Sequence, residues 1–343
     1  MRAGEALKII TGSSVEFGLI GRQGQEIHVG HIMASRSHLV IGTRGSQLAL
    51  WQAEWVKSQI LRVAPDLEVS LTRIQTSGDK IQDVPLAKIG GKGLFVKEIE
   101  EALLNGSIDL AVHSMKDMPS VLPDGLQIVC VPEREDARDA FLGHKGVTLD
   151  QLPQGGKVGT SSLRRQSQLM YYRKDLQVEM LRGNLDTRLR KLQDGQFDAI
   201  LLAGAGLKRL GWDHHVTEYL SVDICLPAIG QGALGLEGRT DDVFVRELVS
   251  QFEHPPTRVA VDAERAFLAR LEGGCQVPIA GHATIHGETV VLEGLVASLD
   301  GQQYVRKSQS GMGKDAATIG IQLAEQLLEN GAAPILQEIY GTV

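Results

Sequence analysis

Hydrophobic and polar positions alternate between two periods along this chain. Residues 38–42, His-Leu-Val-Ile-Gly, form an apolar run of strand length and predict a buried strand. The run passes through Thr43-Arg44-Gly45-Ser46 into a segment where Ala49, Ala53, Val56 and Ile60 recur at helical spacing. Leu48, Trp51 and Trp55 lie alongside, and Ser46 is placed to cap the helix. Residues 67–74 alternate as a strand. Residues 94–104 are amphipathic and stop at Asn105-Gly106, a helix-end signal. Residues 109–113 and 126–131 read as short apolar strands.

The pattern then repeats. Residues 157–159 predict a strand, Thr160-Ser161-Ser162 a cap, and a helix follows from Leu163. Residues 178–181 predict a strand, followed by Arg182-Gly183-Asn184, a helix through Leu192 and a strand at 197–203. Strands alternating with helices imply an α/β fold with largely parallel sheets. Pro255-Pro256 marks a boundary. Beyond it a helix at 258–271, several strands and a final helix near 319–328 read as a smaller α+β domain. Residues 1–37 are rich in Gly, Ser and polar residues without a sustained period. They are expected to be a disordered extension, with the true beginning near Met33.

Length and composition narrow the classes. At roughly 100–200 residues per domain, 343 residues suggest two or three domains. A net charge of −7 argues against a general polyanion binder, and 4% aromatic residues against a stacking platform, so no nucleic-acid partner is expected. No apolar run approaches the roughly 18 residues of a membrane span, and Glu5, Lys8 and Glu16 interrupt any secretory signal. Cys130, Cys225 and Cys275 are too sparse for a disulfide framework or a zinc knuckle. They point to a reducing, cytoplasmic compartment.

Polar and cationic residues gather just after the predicted strands: Arg44 and Ser46, Lys116 and Asp117, Thr160 through Arg165, and Arg182. Ligands of open α/β sheets bind outside the carboxyl ends of the strands, where helix N-termini offer N–H donors. Arginine adds a fork matched to carboxylate or phosphate. Several anion-binding corners facing one cleft, or a set of solvated surface arginines, both fit this recurrence. Asp117, beside Lys116 at a strand end, could assist a leaving group or steady a cation; it could equally form a turn ahead of Pro119. Cys275 follows Gly273-Gly274 at the end of a helix, an exposed thiol or a small buried residue. Cys130 and Cys225 read as packing residues. Gly230-Gln231-Gly232-Ala233-Leu234-Gly235 matches a dinucleotide fingerprint without its βαβ setting, and Gly90-Gly91-Lys92-Gly93 lacks the spacing of a phosphate loop. His282 and His286 have no evident partner, so no metal site is expected.

Six segments together resemble the porphobilinogen deaminase family. They are Thr43-Arg44-Gly45-Ser46-Gln47-Leu48-Ala49-Leu50-Trp51-Gln52, Val112-His113-Ser114-Met115-Lys116-Asp117, and Val158-Gly159-Thr160-Ser161-Ser162-Leu163-Arg164-Arg165. Leu181-Arg182-Gly183-Asn184, Pro227-Ala228-Ile229-Gly230-Gln231-Gly232-Ala233 and Leu271-Glu272-Gly273-Gly274-Cys275-Gln276-Val277-Pro278 complete the set, in the family's order. The resemblance implies two α/β domains like those of periplasmic binding proteins, plus a smaller C-terminal α+β domain. Domain 1 would comprise 38–132 and 232–254, domain 2 137–227, and domain 3 255–343, after the extension 1–37. The chain would cross near 133–137 and 227–231.

The resemblance further implies a monomeric transferase. It condenses four porphobilinogen molecules head to tail, with loss of ammonia, onto a dipyrromethane cofactor attached through Cys275, and releases hydroxymethylbilane. Arg44, Arg164, Arg165, Arg182, Arg188 and Arg209 match the family's carboxylate-binding arginines. Ser46, Thr160 and Ser162 match its neutral donors, Lys116 a cofactor contact, and Asp117 the catalytic carboxylate. Lys88 and Lys92 match basic residues of a loop over the cleft. The alternative is a non-catalytic protein of the periplasmic-binding type holding a small dicarboxylate; a nicotinamide-dependent oxidoreductase built on Gly230-Gln231-Gly232 is a third reading.

Overall fold

The computed structural model describes residues 36–80, 94–272 and 277–341. The expectations for the 1–37 extension and for Lys88, Lys92 and Cys275 therefore lie outside the described residues, apart from Arg36 and Ser37.

Three sheets organise the chain from His38 onward. The first contains β1 (His38–Thr43), β2 (Glu68–Arg73), β3 (Leu110–Ser114), β4 (Leu126–Cys130) and β10 (Leu234–Arg239), in the order β2-β1-β3-β10-β4. The second contains β5 (Asp139–Gly143), β6 (Lys157–Gly159), β7 (Gln177–Glu179), β8 (Ala199–Ala203) and β9 (Glu218–Tyr219), in the order β7-β6-β8-β5-β9. The two orders are equivalent. In each, three parallel strands are followed by one reversed strand and then a fifth.

The reversed strands are the one exception in each sheet to the expected largely parallel order. Each is the first strand after the chain leaves the other sheet: β5 follows β4, and β10 follows β9. A parallel neighbour needs a crossover that returns the chain to the starting end of the sheet. These crossings supply none, so each strand enters from the carboxyl end of its parallel neighbours. Asp139 accordingly pairs with Ala203 at the end of β8, and Leu234 with Ser114 at the end of β3. Both crossings thus run along the edge where α/β sheets bind ligands. They touch there: the Glu135 N–H donates to the Gly232 carbonyl (3.2 Å) and Arg134 Nε to the Gln231 carbonyl (2.7 Å). Gly230-Gln231-Gly232 belongs to the second crossing and not to a strand–helix turn.

Helices cover the sheets where the periodicity predicts. In α1 (Gln47–Val63) the buried positions are Ala49, Ala53, Val56 and Ile60, with Gln52 among them, and Ser46 Oγ accepts from the Ala49 N–H at 3.3 Å. The amphipathic segment expected from 94 starts as helix only at α2 (Lys97–Leu104), after a turn at 94–96. The second sheet carries α3 (Leu163–Tyr172), α4 (Leu185–Gln193) and α5 (Gly204–Arg209), and α6 (Val243–Ser250) follows β10. The helix after the boundary, α7 (Pro255–Arg270), starts three residues earlier than expected, because proline is pre-organised for the first helical turn.

The third sheet is an antiparallel meander of β11 (Ile279–His286), β12 (Thr289–Ala297) and β13 (Tyr304–Met312), covered by α7, α8 (Ala316–Leu327) and α9 (Ala333–Gly341). Phe267, Leu292, Leu323 and Leu327 fill its core. Helices α7 and α8 pack so closely that a Cβ at Gly320 would lie 2.2 Å from the Ala263 carbonyl oxygen.

Two buried acids tie these parts together. Glu264 of α7 accepts from Arg134 (2.6 Å) in the first crossing, from the Gly230 N–H (2.6 Å) in the second and from the Ala283 N–H (2.8 Å) of β11. Burial pushes its carboxyl up, but Arg134 and His282 overcome this and hold it near 2. Asp139 accepts from Arg164 and Arg165 of α3 (2.7 Å each) and from Gln231 Nε2 (2.9 Å). It joins both crossings to the second sheet.

Candidate active site

The carboxyl end of β3 carries the acid. After Ser114 the chain makes a single 3-10 turn, Met115–Asp117, closed by the Met118 N–H donating to the Met115 carbonyl at 3.1 Å. The Met115 N–H is itself held by the Ala233 carbonyl (3.0 Å) at the approach to β10. Asp117 therefore stands at a strand end fixed from both sides. It lines a pocket with Arg44, Ser46, Gln52, His113 and Ser114.

Arg44 forms one wall. It is ion-paired with Asp79, with Nε 3.2 Å from the carboxylate, and its guanidinium stacks 4.4 Å from the Phe95 ring centroid. The pairing fixes the fork in one orientation. Gln52 Nε2 donates to Ser114 Oγ at 3.0 Å. Neither Asp79 nor Gln52 was singled out from the sequence. Gln52 had a visible signal, a polar residue at an inward position beside Ala49 and Ala53.

The second sheet supplies the cations. Ser162 sits at the N-cap position of α3 with extended backbone, but its side chain makes no capping bond. Its N–H donates to Thr160 Oγ1 (3.2 Å), and Ser161 Oγ donates to the Leu181 carbonyl (2.7 Å), so the loops after β6 and β7 are stitched together. In the second loop Gly183 has φ +112°, a region that favours glycine, and Asn184 caps α4 by accepting from the Thr187 N–H (3.0 Å). This turn puts Arg182 just before the helix and Arg188 one turn into it, with Arg188 Nε held by the Gly183 carbonyl at 2.8 Å.

Electrostatics shows which of these residues the fold brings together. Burial lowers Arg188 to about 10; Arg165 and Arg182 add to the shift and Asp117 opposes it. Burial also pushes Lys116 below its ordinary value. Asp117 and Asp139 resist that shift, while Arg165 and Arg164 reinforce it. Lys116 and Arg188 thus lie within electrostatic reach of Asp117; Arg165 acts on both, Arg164 on Lys116 and Arg182 on Arg188.

Arg164, Arg165 and Arg209 are also engaged within the protein. Arg164 and Arg165 are buried on Asp139, and Arg164 also donates to the Leu226 carbonyl at 2.7 Å. Their two positive charges overcome the burial of Asp139 and hold its carboxyl far below the usual range. Arg209 donates to the Gly232 carbonyl (2.7 Å) on the second crossing; burial lowers it to about 10, against Glu135. Asp139 was missed by sequence reasoning, since its partners lie 25 or more residues away. Cys225 donates its thiol to Asp139 at 3.2 Å, and burial pushes it up to about 12; Cys130 is buried in β4. Both are buried packing residues, as expected.

Among the described residues no group of three or more His, Cys, Asp or Glu could hold a metal, and no helix is long and apolar enough to cross a membrane.

Residues 39–247 match the family model described as "Porphobilinogen deaminase, dipyromethane cofactor binding domain", and residues 259–329 match "Porphobilinogen deaminase, C-terminal domain". The porphobilinogen deaminase of Geobacter sulfurreducens is 59% identical over 304 residues, 89% of this chain and 95% of that protein. The Nitratidesulfovibrio vulgaris enzyme of the same name is 59% identical over 309 residues, 89% of this chain and 98% of that protein. Among solved structures, the periplasmic aliphatic sulphonate binding protein SsuA of Escherichia coli aligns over 86% of this chain and 88% of its own, at TM-score 0.40 and 14% identity, values too low to carry an argument. The matches support a transferase and not a non-catalytic dicarboxylate-binding protein. With two α/β halves of equivalent strand order, a smaller α+β part and these relatives over most of its length, the chain belongs to the porphobilinogen deaminase family, whose cofactor is dipyrromethane.

Proposed function

We propose that the cleft between the carboxyl ends of the two five-stranded sheets holds dipyrromethane and the growing pyrrole chain, with Asp117 as the catalytic carboxylate and Cys275 as the attachment point. The observation that carries this reading is the pocket that Asp117 lines with Arg44, with Lys116 and Arg188 within electrostatic reach of the acid and Arg188 beside Arg165 and Arg182. Buried cations that repel one another favour anionic occupants. Each porphobilinogen unit brings an acetate and a propionate, so the donor set fits the group. When bound, dipyrromethane supplies the pyrrole carbon to which the first unit is joined.

The chain's own residues then have distinct tasks. Arg44, Arg182 and Arg188 bind carboxylates, each charge-assisted hydrogen bond worth about 1.5–3 kcal/mol. Arg164 and Arg165 set the local potential from their seat on Asp139, and Arg209 braces the second crossing. Ser46, Thr160 and Ser162 contribute neutral groups at helix starts, and Lys116 a cation beside the acid. Asp117 stabilises positive charge that develops on the substrate as ammonia leaves. Lys88 and Lys92, outside the described residues, are further basic groups that the resemblance assigns to the site. Residues 38–132 with 232–254, 137–227 and 255–343 act as three domains, after an extension at 1–37. The enzyme works as a cytoplasmic monomer, a setting that suits the unpaired thiols of Cys130 and Cys225.

The deciding experiment is the intact mass of the purified chain with peptide mapping. A gain of two linked pyrrole units on the peptide containing Cys275 is expected. A mass equal to that of the sequence, unchanged after incubation with porphobilinogen, overturns the reading. Arg182→Ala tests the anion grip. Loss of one charge-assisted bond predicts about a 10- to 150-fold weaker hold on the chain, seen as stalled intermediates by mass spectrometry. An unchanged rate with no trapped species removes Arg182 from the site.

A further inference from the structure

Behind the pocket lies an acid cluster that the reaction, as read above, does not use. His113 of β3 and Glu237 of β10 are diagonal neighbours on one face of the first sheet, since His113 pairs with Gly235 and Ala111 with Glu237. His113 Nε2 and Glu237 Oε2 are 2.9 Å apart, at 3% and 0% side-chain exposure. Helix α2 covers this face and adds Glu100, also buried. One carboxyl oxygen of Glu100 and one of Glu237, Oε1 in each case, are buried without a hydrogen-bond partner among the described residues.

Burial and a like charge at one site each disfavour ionising both carboxyl groups. Burial first, and Glu237 second, push Glu100 up to about 7, with His113 opposing. The other charged groups facing the cluster are few. Arg265 of α7 lies within electrostatic reach of Glu237. Arg239 of β10 is held by Asp109 and Asp242, and α1 presents only Gln52, to Ser114.

The cluster brackets Asp117. His113 lies on β3, just before the turn that carries Asp117, and lines the same pocket. Arg265 donates to the carbonyls of Pro119 (2.7 Å) and Ser120 (3.2 Å) just after it. We propose that Glu237 is a positioning residue for the reaction, holding His113 and the end of β3 in place beneath Asp117, and that Glu100 carries the proton that lets the buried acid pair bear a single charge. The inference rests on the reading of Asp117 as the catalytic carboxylate.

A pH dependence follows. Unfolded, Glu100 titrates near 4.5; folded, near 7. The folded state therefore holds an extra proton between these values, and stability falls as pH rises through that window. Above it a second buried charge repels Glu237 and loosens the end of β3. Glu100→Gln imitates the protonated acid. It should raise the alkaline limb of the kcat–pH profile by about one unit and the Tm above pH 7 by roughly 2–4 °C. In the holoenzyme, Glu237→Gln should lower kcat about tenfold or more with little change in KM and the dipyrromethane still attached by mass.

An E237Q enzyme that matches the parent in kcat, or an E100Q profile superimposable on the parent's, overturns the proposal. Should E237Q not accumulate as folded protein, the E100Q profile decides alone. Asp117→Asn is assayed alongside. Its near-normal turnover would remove the catalytic reading itself, whereas an inactive D117N beside parent-like E237Q and E100Q removes only the positioning role.

Discussion

Asp117→Asn should lower turnover by about 100- to 10,000-fold while the chain still carries its dipyrromethane. The substitution keeps the shape of the side chain and removes its charge. The Met115–Asp117 turn is closed by backbone bonds and by the Ala233 carbonyl, so the fold at the site survives. What is lost is the one acidic side chain that opposes the lowering of both Lys116 and Arg188 from within the pocket. Positive charge developing on the substrate would then face Lys116 and Arg188 without the carboxylate that lies within reach of both. Steady-state turnover of porphobilinogen, with intact mass on the same sample, checks both halves of the statement. Turnover within a few-fold of the parent takes Asp117 out of the mechanism.

Asp139→Asn is expected to cost about 3–5 kcal/mol of stability, because it leaves Arg164 and Arg165 buried without their counter-charge. At about 2–4 °C per kcal/mol, the Tm falls by roughly 10 °C, measurable by calorimetry on the holo form. Asp139 titrates lower in the folded chain than in the unfolded one. Its contribution is therefore present above the unfolded value near 3.8 and is lost only as pH falls through the depressed folded value. The gap between D139N and the parent should thus be widest at neutral pH and close in strong acid. A gap that stays constant with pH, or a Tm within about 2 °C of the parent, contradicts the electrostatic account.

Both residues sit at strand ends, yet only one was readable beforehand. Asp117 stands inside a run of local signals: an apolar strand, a lysine and a proline two residues on. The same holds for Ser46, Asn184 and Gly183, whose tasks of capping a helix or adopting a positive φ involve partners within a few residues. Local chemistry of this kind is written in the order of the chain. Asp139 begins a short strand with no alternation to announce it, and its partners are Arg164, Arg165 and Gln231. Glu237 lies in Leu-Gly-Leu-Glu-Gly-Arg, a segment too rich in glycine to read as a strand, and meets His113 across 124 residues.

The sequence by itself determined the parallel βα units, the Ser46 cap and the helix that begins at Pro255-Pro256, since each follows from periodicity and short-range hydrogen bonding. The tertiary structure alone decided the two reversed strands, the commitment of Arg164, Arg165 and Arg209 to internal partners, and the buried acids beneath β3. Those depend on which distant segments share a low-dielectric interior, where a carboxylate must find a cation or a proton, and no local pattern specifies that.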